Sequence, residues 1–378
     1  MKVEVRPYQI CSRCIMDTSD PRIRFDSNGE CCHCKVYDHR VKTEVFRGVE
    51  GERILAQIVK KIKKHGEGKP YDCLIGVSGG ADSTTVIWTL KKFGLRPLAI
   101  HLDNGWDSEL AVDNIKNTLE KLDIDLYTHV LNWEEFRDLQ LAFLKASVPN
   151  AEIPTDHAIV ALNFKVAMEK GIKYIVNGGN VATEAFVPVA WAYDARDRRH
   201  LKAIHKQFGT VPLRSFITRG IPSYLYAVFI KGIRWVTMLN YIDYKKSEAI
   251  AVLEKELGWR PYGGKHYESV YTRFYQGYIL KHKFGFDKKR AHLANLVLSG
   301  DMTRDQALEE VQKEDYIGTE LYNEDREFTI KKFGLTEAQF EEIMALPAKT
   351  HYDYPNNSWA LERMPKLFST FKKLVTRV

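Results

Sequence analysis

Six consecutive residues, Ser78-Gly79-Gly80-Ala81-Asp82-Ser83, bring together the types that hold a pyrophosphate group. They follow the apolar run 71–77, which reads as a buried strand, and they precede 84–93, which reads as a helix. A strand, a glycine-rich turn and a helix start form an anion cradle, because free backbone N–H groups meet the positive end of the helix dipole there. Gly79 and Gly80 let the backbone approach phosphate oxygens, Ser78 and Ser83 add hydroxyl donors, and Asp82 can hold Mg²⁺ beside them. No lysine follows in the position that ordinary P-loop NTPases require. Gly76-Val77-Ser78-Gly79-Gly80 also fits the G-x-S-x-G elbow of serine hydrolases. That reading needs an oxyanion loop upstream, where this chain carries cysteines, and it leaves Asp82 and Ser83 unexplained.

The upstream cysteines form a second chemical constellation. Cys11, Cys14, Cys31 and Cys34 make a C-x₂-C-x₁₆-C-x₂-C pattern, the spacing of a Cys₄ zinc site. All four positions of a tetrahedral Zn²⁺ would be filled by protein, so the metal would be structural. Cys32 and His33 are spare; either could substitute for a ligand, but the CxxC register favours Cys31 and Cys34. A cytosolic location is expected, where such thiols stay reduced and disulfides are rare.

These groups need a scaffold. Strands are expected at 71–77, 97–102, 126–131 and 173–177, and helices around 84–93, 109–122, 133–146 and 157–170. The alternation predicts an α/β fold, a doubly wound parallel sheet with helices on both faces, whose ligands gather at the carboxyl ends of the strands. Two more polar clusters fall at such ends. Asp103-Asn104-Gly105 follows the second strand, placed for ribose, adenine or Mg²⁺, and Asn177-Gly178-Gly179-Asn180 follows the last, with Glu184 one helical turn on. Thr155-Asp156-His157 opens the helix before that strand, with Thr155 or Asp156 either its N-cap or part of the site.

The expected organisation is a zinc-binding module over 1–50, a nucleotide-binding domain over 51–215, and a mainly helical substrate or partner region over 216–378. Capping boxes at Thr303/Gln306 and Thr336/Gln339 start helices in the last region. Lys265, His266, Arg273 and Lys283 cluster ahead of them and are expected to close over the site. A net charge of +7 favours anionic ligands such as nucleotides and is too small to argue for nucleic acid by itself. The most apolar stretch, 223–242, is broken by Lys231 and Arg234, so it reads as a buried or interfacial helix rather than a membrane span.

Taken together, SGGADS, the cysteine cluster, Ile153-Pro-Thr-Asp-His-Ala158, Asn177-Gly-Gly-Asn180 and Trp259-Arg-Pro-Tyr-Gly-Gly-Lys-His-Tyr-Glu-Ser269 resemble one family. Thr272-Arg273-Phe274, Lys283-Phe284, Asp287-Lys-Lys-Arg290, His292 and Ser299-Gly-Asp-Met-Thr-Arg304 continue its pattern. It is the WbpG/PseA-type N-acetyl sugar amidotransferases, within the PP-loop ATP-pyrophosphatase superfamily. The resemblance implies conversion of a sugar acetamido group to an acetamidino group, in O-antigen or nonulosonic acid biosynthesis. ATP would adenylate the amide oxygen and ammonia would displace AMP. Under that reading Asp82, Glu184, Arg273 and Lys283 are the catalytic candidates, Arg273 or Lys283 neutralising the transferred phosphate. Thr155, Asp156, Lys265 and His266 are placed toward the nucleotide-sugar substrate. Ser78, Gly79, Gly80, Ser83, Asp103, Asn104, Gly178 and Asn180 are placed toward ATP. Position 2 is lysine, and Cys73, the one cysteine outside the cluster, is expected inside a buried strand. Ammonia is therefore expected from a separate glutaminase subunit, with a cyclase-like barrel partner of the imidazole glycerol phosphate synthase type. The alternative is a tRNA sulfurtransferase of the same superfamily, which would need a reactive cysteine near the nucleotide if it carries sulfur on protein, or could use the N-terminal cluster in an iron–sulfur version.

Overall fold

The computed structural model describes residues 7–262, 264, 267–314 and 316–358. The chain forms two compact units, each discontinuous in sequence. Among the described residues, one combines 47–179, 194–273 and 349–358; the other combines 7–46 with 180–193 and 274–348.

The first unit is built on five parallel strands, β1 (Cys73–Gly76), β2 (Pro97–Asp103), β3 (Leu126–Val130), β4 (Tyr174–Asn177) and β5 (Arg234–Thr237). Their order across the sheet is β3-β2-β1-β4-β5. Leu74 of β1 stands opposite Leu98 of β2 on one side and Ile175 of β4 on the other. Central strands covered on both faces need near-continuous apolar sequence, which β1 and β4 have. On one face Cys73 and Ile75 pack with Leu55, Ile58 and Ile62 of helix Gly48–Gly66 and with Val86, Ile87 and Leu90 of helix Ala81–Lys92. On the other, Leu74 and Ile175 pack with Leu162 and Val166 of helix Ile153–Glu169 and with Tyr224, Ala227 and Val228. The α/β doubly wound class is therefore present. Successive strands run outward from β1 to β3, then restart at β4 on the other side, so the direction of winding reverses between β1 and β4. Ligand crevices form at such reversals.

Two local expectations are revised. The stretch 223–242 is not one helix. A short helix, Ile221–Leu225, runs into a single π-turn; Gly232, at φ +66°, reverses the chain, and β5 follows. Its buried residues, Ile233, Val236, Met238 and Leu239, split between the two faces, so the sheet gains a strand from beyond residue 215. The helix expected from His157 begins instead at Ile153, with Pro154 in its first turn, where a missing N–H costs nothing. Thr155 and Asp156 are thus first-turn residues and not the N-cap, which is Glu152.

The second unit gathers the cysteine knuckle, helix Cys32–Glu44, the strap 180–193 and helices Lys288–Ser299, Arg304–Gln312, Glu320–Phe333 and Glu337–Ala345. Both capping boxes form, at Thr303/Gln306 and Thr336/Gln339. The strap is fastened by buried polar groups. Tyr37 donates its hydroxyl to the Ala182 carbonyl (3.0 Å), while Asn295 accepts from the Ala185 N–H (2.9 Å) and donates to the Phe186 carbonyl (3.1 Å). Trp191 stacks on Phe286 at 4.5 Å. Among the described residues, no helix is long and apolar enough to cross a membrane.

Candidate functional site

β1 ends at Gly76 and the next helix begins at Ala81, so the glycine turn lies at the carboxyl end of the central strand. Gly79 has φ +79°, and a Cβ there would lie 2.6 Å from the Tyr262 hydroxyl and 2.8 Å from the Ala111 carbonyl oxygen. Only glycine meets both demands. Its own carbonyl accepts from the Trp259 indole N–H (2.7 Å) and the Tyr262 hydroxyl (2.8 Å). The carbonyl of Gly80 takes the hydroxyls of Ser83 (3.0 Å) and Thr84 (2.9 Å). Gly80 itself is the N-cap and supplies no side-chain bond to the first-turn N–H groups of the helix. Those donors are what an anion can take. Asp82 sits in that first turn, and the Tyr244 hydroxyl donates to its Oδ1.

The turn after β4 presses on the same place. A Cβ on Gly178 would lie 2.8 Å from the Ser83 nitrogen, so backbone meets backbone across the point where the winding reverses. Asn177 shapes this turn by accepting the Gly179 N–H (2.8 Å).

At the end of β2, Asp103 accepts the Gly105 N–H (2.8 Å) and Asn104 accepts the Trp106 N–H (3.0 Å). The Asn104 amide also donates to the Thr155 hydroxyl (3.3 Å), so these two sequence-predicted residues meet. A cavity of about 670 Å³ opens beside Asp103, floored by Ile115, Leu119 and Leu126 and bordered by His101 and Asp107. That volume suits a drug-sized ligand. His101 stands 3.2 Å from the Asp107 carboxylate; burial disfavours its charge, but the hydrogen bond and charge of Asp107, the Val77 carbonyl and the charge of Asp103 together outweigh that and raise its pKa.

Residues 268–270 lie along the same rim. Ser108 donates its N–H to the Glu268 carbonyl and Val270 to the Trp106 carbonyl, both at 2.9 Å. The Glu268 carboxylate comes within 3.8 Å of where a Gly80 Cβ would stand. Glu268, Trp259 and Tyr262 are residues that motif reasoning quoted without assigning them to the glycine turn, and Tyr244 carried no signal at all. Arg273 is nearby in the chain, its guanidinium over the Tyr267 ring at 5.1 Å and donating to the Tyr267 carbonyl (3.4 Å). Lys265 and His266 lie outside the described residues.

The remaining candidates belong to the other unit. Asn180 is buried and accepts the Ala182 N–H (3.1 Å), shaping the start of the strap on which Glu184 lies exposed. Lys283 is occupied locally. Its ammonium donates to the carbonyls of Ile343, Met344 and Leu346, at the end of helix Glu337–Ala345, and burial pulls its pKa down to about 8. A cation there satisfies the orphan carbonyls of a helix end.

In the same unit the four cysteines converge. The Sγ atoms of Cys11 and Cys34 are 3.7 Å apart, those of Cys14 and Cys31 3.6 Å, and those of Cys31 and Cys34 3.7 Å. All four thiols are unbridged and fully buried, and their sulfurs lie within 4.8 Å of one another. A tetrahedral ion with metal–sulfur bonds of about 2.3 Å needs sulfur–sulfur edges of about 3.8 Å, so the quartet fits one. Backbone N–H groups of Cys14 (3.4 Å) and Cys31 (3.2 Å) point at the Cys11 sulfur. Two arginines from the C-terminal motifs brace the knuckle: Arg304 donates to the carbonyls of Cys14 (3.0 Å) and Cys11 (2.8 Å), and Arg290 to that of Ile15 (2.8 Å). Cys32 is outside the quartet, and His33 pairs with Asp20 at 2.7 Å.

Comparison with known proteins gives the following. "Uncharacterized protein MJ1599" of Methanocaldococcus jannaschii is 24% identical over 329 residues, 79% of this chain and 99% of that protein. Among solved structures, NMN synthetase from Francisella tularensis is 14% identical with a TM-score of 0.35, covering 76% of this chain and 98% of its own. A structure titled as a predicted subunit of tRNA methyltransferase from Methanocaldococcus jannaschii is 17% identical with a TM-score of 0.28, covering 48% and 75%. Residues 268–367 match the family model described as "LPS biosynthesis protein WbpG-like, C-terminal domain". The match covers about a quarter of the chain, and the name of the model agrees with the family that the motifs of the sequence resemble.

Proposed function

We propose that the protein is an ATP-dependent, AMP-forming amidotransferase that converts an acetamido group of a nucleotide-linked N-acetyl sugar to an acetamidino group. The observation that carries this reading is the glycine turn 78–83 at the winding reversal, uncapped and anchored by Trp259 and Tyr262, in a chain whose residues 268–367 are WbpG-like. The N–H groups of the first turn and the hydroxyl of Ser78 would grip the β- and γ-phosphoryls of ATP, joined by Ser83 once its hydroxyl turns away from the Gly80 carbonyl. Mg²⁺, held by Asp82 or Asp103, would supply positive charge to the departing pyrophosphate. The amide oxygen attacks the α-phosphorus, pyrophosphate leaves, and the product is an O-adenylated imidate. Ammonia then adds at the imidate carbon and AMP departs with the former amide oxygen, leaving the amidine. Fixed donors aimed at the phosphoryl oxygens need no reorganisation as charge develops. Water competes with ammonia at the activated carbon, so the rim formed by 106–108 and 268–270 would matter for its exclusion.

Zinc in the cysteine quartet would be structural, since all four ligands are protein. Ammonia would come from a separate glutaminase subunit with its cyclase-like partner. Cys73 is fully buried in β1 and burial pushes its thiol pKa far up, which makes it a poor nucleophile for glutamine hydrolysis. The same inertness counts against a tRNA sulfurtransferase that carries sulfur on Cys73.

The test is incubation with ATP, Mg²⁺, ammonium and a panel of nucleotide-linked diacetamido sugars, followed by mass spectrometry. A sugar one dalton lighter, appearing with stoichiometric AMP, is the expected result. AMP formation driven by tRNA and sulfide but by no sugar would replace this reading with the sulfurtransferase.

A further inference from the structure

A second cavity in the sheet-bearing unit, of about 630 Å³, is lined by cations that the proposed reaction does not use. His129 enters it from β3, Lys165 and Glu169 from helix Ile153–Glu169, Arg198 from the start of helix Arg198–Phe208, and Arg219 from the loop that follows that helix. Three permanent positive charges therefore face one carboxylate. Solvated surface cations normally spread apart; here they converge on a concavity with Phe216 and Ile217 in its wall.

The wall is built rather than incidental. His157, fully buried, holds both arginine-bearing segments: its Nδ1 donates to the Ala195 carbonyl (2.6 Å) and its Nε2 accepts the Arg219 N–H (3.2 Å). Both bonds need the neutral ring, and burial lowers its pKa accordingly. The Glu135 carboxylate gathers the N–H groups of Arg214 (3.0 Å), Ser215 (3.0 Å) and Phe216 (2.8 Å), which fixes the next part of the loop. Arg219 spends one guanidinium nitrogen on the Ser223 hydroxyl (2.6 Å), which sets the plane of its fork. Thr155, beside Asn104, and Lys165 lie on one helix, ten residues and so about 15 Å apart along the axis. None of residues 78–83 lines this cavity, so it is separate from the glycine turn.

We propose that this cavity binds the phosphate end of a phosphorylated small molecule. Planar guanidinium forks arriving from two elements, with an ammonium from a third, match the several oxygens of a phosphate better than the two of a carboxylate. The organic remainder packs against Phe216 and Ile217. The assignment stands independently of the sugar amidation proposed above.

The experiment is calorimetric titration of the full chain with inorganic pyrophosphate in the presence of Mg²⁺. Wild type should show two classes of site, one at the glycine turn and one here. Lys165→Gln combined with Arg198→Gln, both partly or fully exposed positions, should weaken one class at least tenfold and leave the other. Asp82→Ala should do the converse. Arg219→Gln should act like the first pair; if it fails to fold, the first pair decides alone. An unchanged isotherm in the Lys165/Arg198 variant would overturn the proposal, as would loss of the class to potassium sulfate at matched ionic strength.

Discussion

In the sheet-bearing unit the candidate reactive surface is mostly backbone: glycine N–H groups, a helix start and two turns that touch main chain to main chain. In the cysteine-bearing unit the corresponding centre is entirely side chain, four thiols braced by the guanidiniums of Arg290 and Arg304 on carbonyls. The first kind of site inherits its geometry from a large apolar core and survives the loss of any one hydrogen bond. The second has, over residues 7–31, the buried side chains of Ile15, Met16 and Ile23 beside the cysteines, so much of its geometry should rest on its ligands. The first should tolerate trimming at the edges and fail at the glycines and Asp82; the second should fail at any of four cysteines.

That contrast can be broken in graded steps. Metal removal by a strong chelator, or Cys14→Ser, should produce the largest effect, since structural zinc in small modules contributes roughly 10–16 kcal/mol of folding free energy. Limited proteolysis should then cut within 7–46 while β1 to β5 stay protected; equal loss of both would show that the units fold as one. Next in size, Asp82→Ala should lower ATP–pyrophosphate exchange by about a hundredfold or more, with bound zinc unchanged. Arg304→Gln removes two bonds to knuckle carbonyls and should lower metal affinity by about 10- to 100-fold, read by competition with a chromogenic chelator. Trp259→Phe deletes one buried hydrogen bond to Gly79 and should cost about 1 kcal/mol, seen as a modest rise in KM for ATP.

The smallest effect concerns an exception inside the sheet-bearing unit. His200 and His351 are buried 3.3 Å apart, and burial depresses their pKa values to about 4 and about 3. A depressed histidine contributes stability that is complete above its unfolded value near 6.5 and is lost as pH falls toward the folded values. The unfolding temperature of this unit should therefore decline by a few degrees from pH 6.5 to 4. His351→Phe, which keeps the ring and drops the proton site, should flatten that decline; an unaltered slope would assign it to other groups.

The strands β1, β2 and β4 were legible as apolar runs ended by turn residues, β3 through strand-forming Tyr127, Thr128 and Val130, and the cysteine quartet because its spacing leaves few alternatives. β5 was not, since a buried strand and a buried helix look alike in an apolar stretch; Gly232 was the available break. Helix Ile153–Glu169 was placed late because Pro154 reads as a stopper, although proline is at home in a first turn. The partners of Gly79 were hidden for a different reason. No local pattern brings Trp259 or Tyr262 back across some 180 residues to a carbonyl, and hydrogen bonds to main chain leave no complementary signal in the partner's residue type. Arg290 and Arg304 illustrate the same blindness: their motifs were visible, but not that they hold carbonyls of the knuckle.

The indole on the glycine turn has an optical consequence. Trp259 is one of the chain's seven tryptophans, 3% exposed, with its N–H tied to the very peptide that a polyphosphate would tighten. Its emission should respond to the electric field and rigidity of that peptide, which would make occupancy of the proposed nucleotide site readable by ultraviolet excitation without a label.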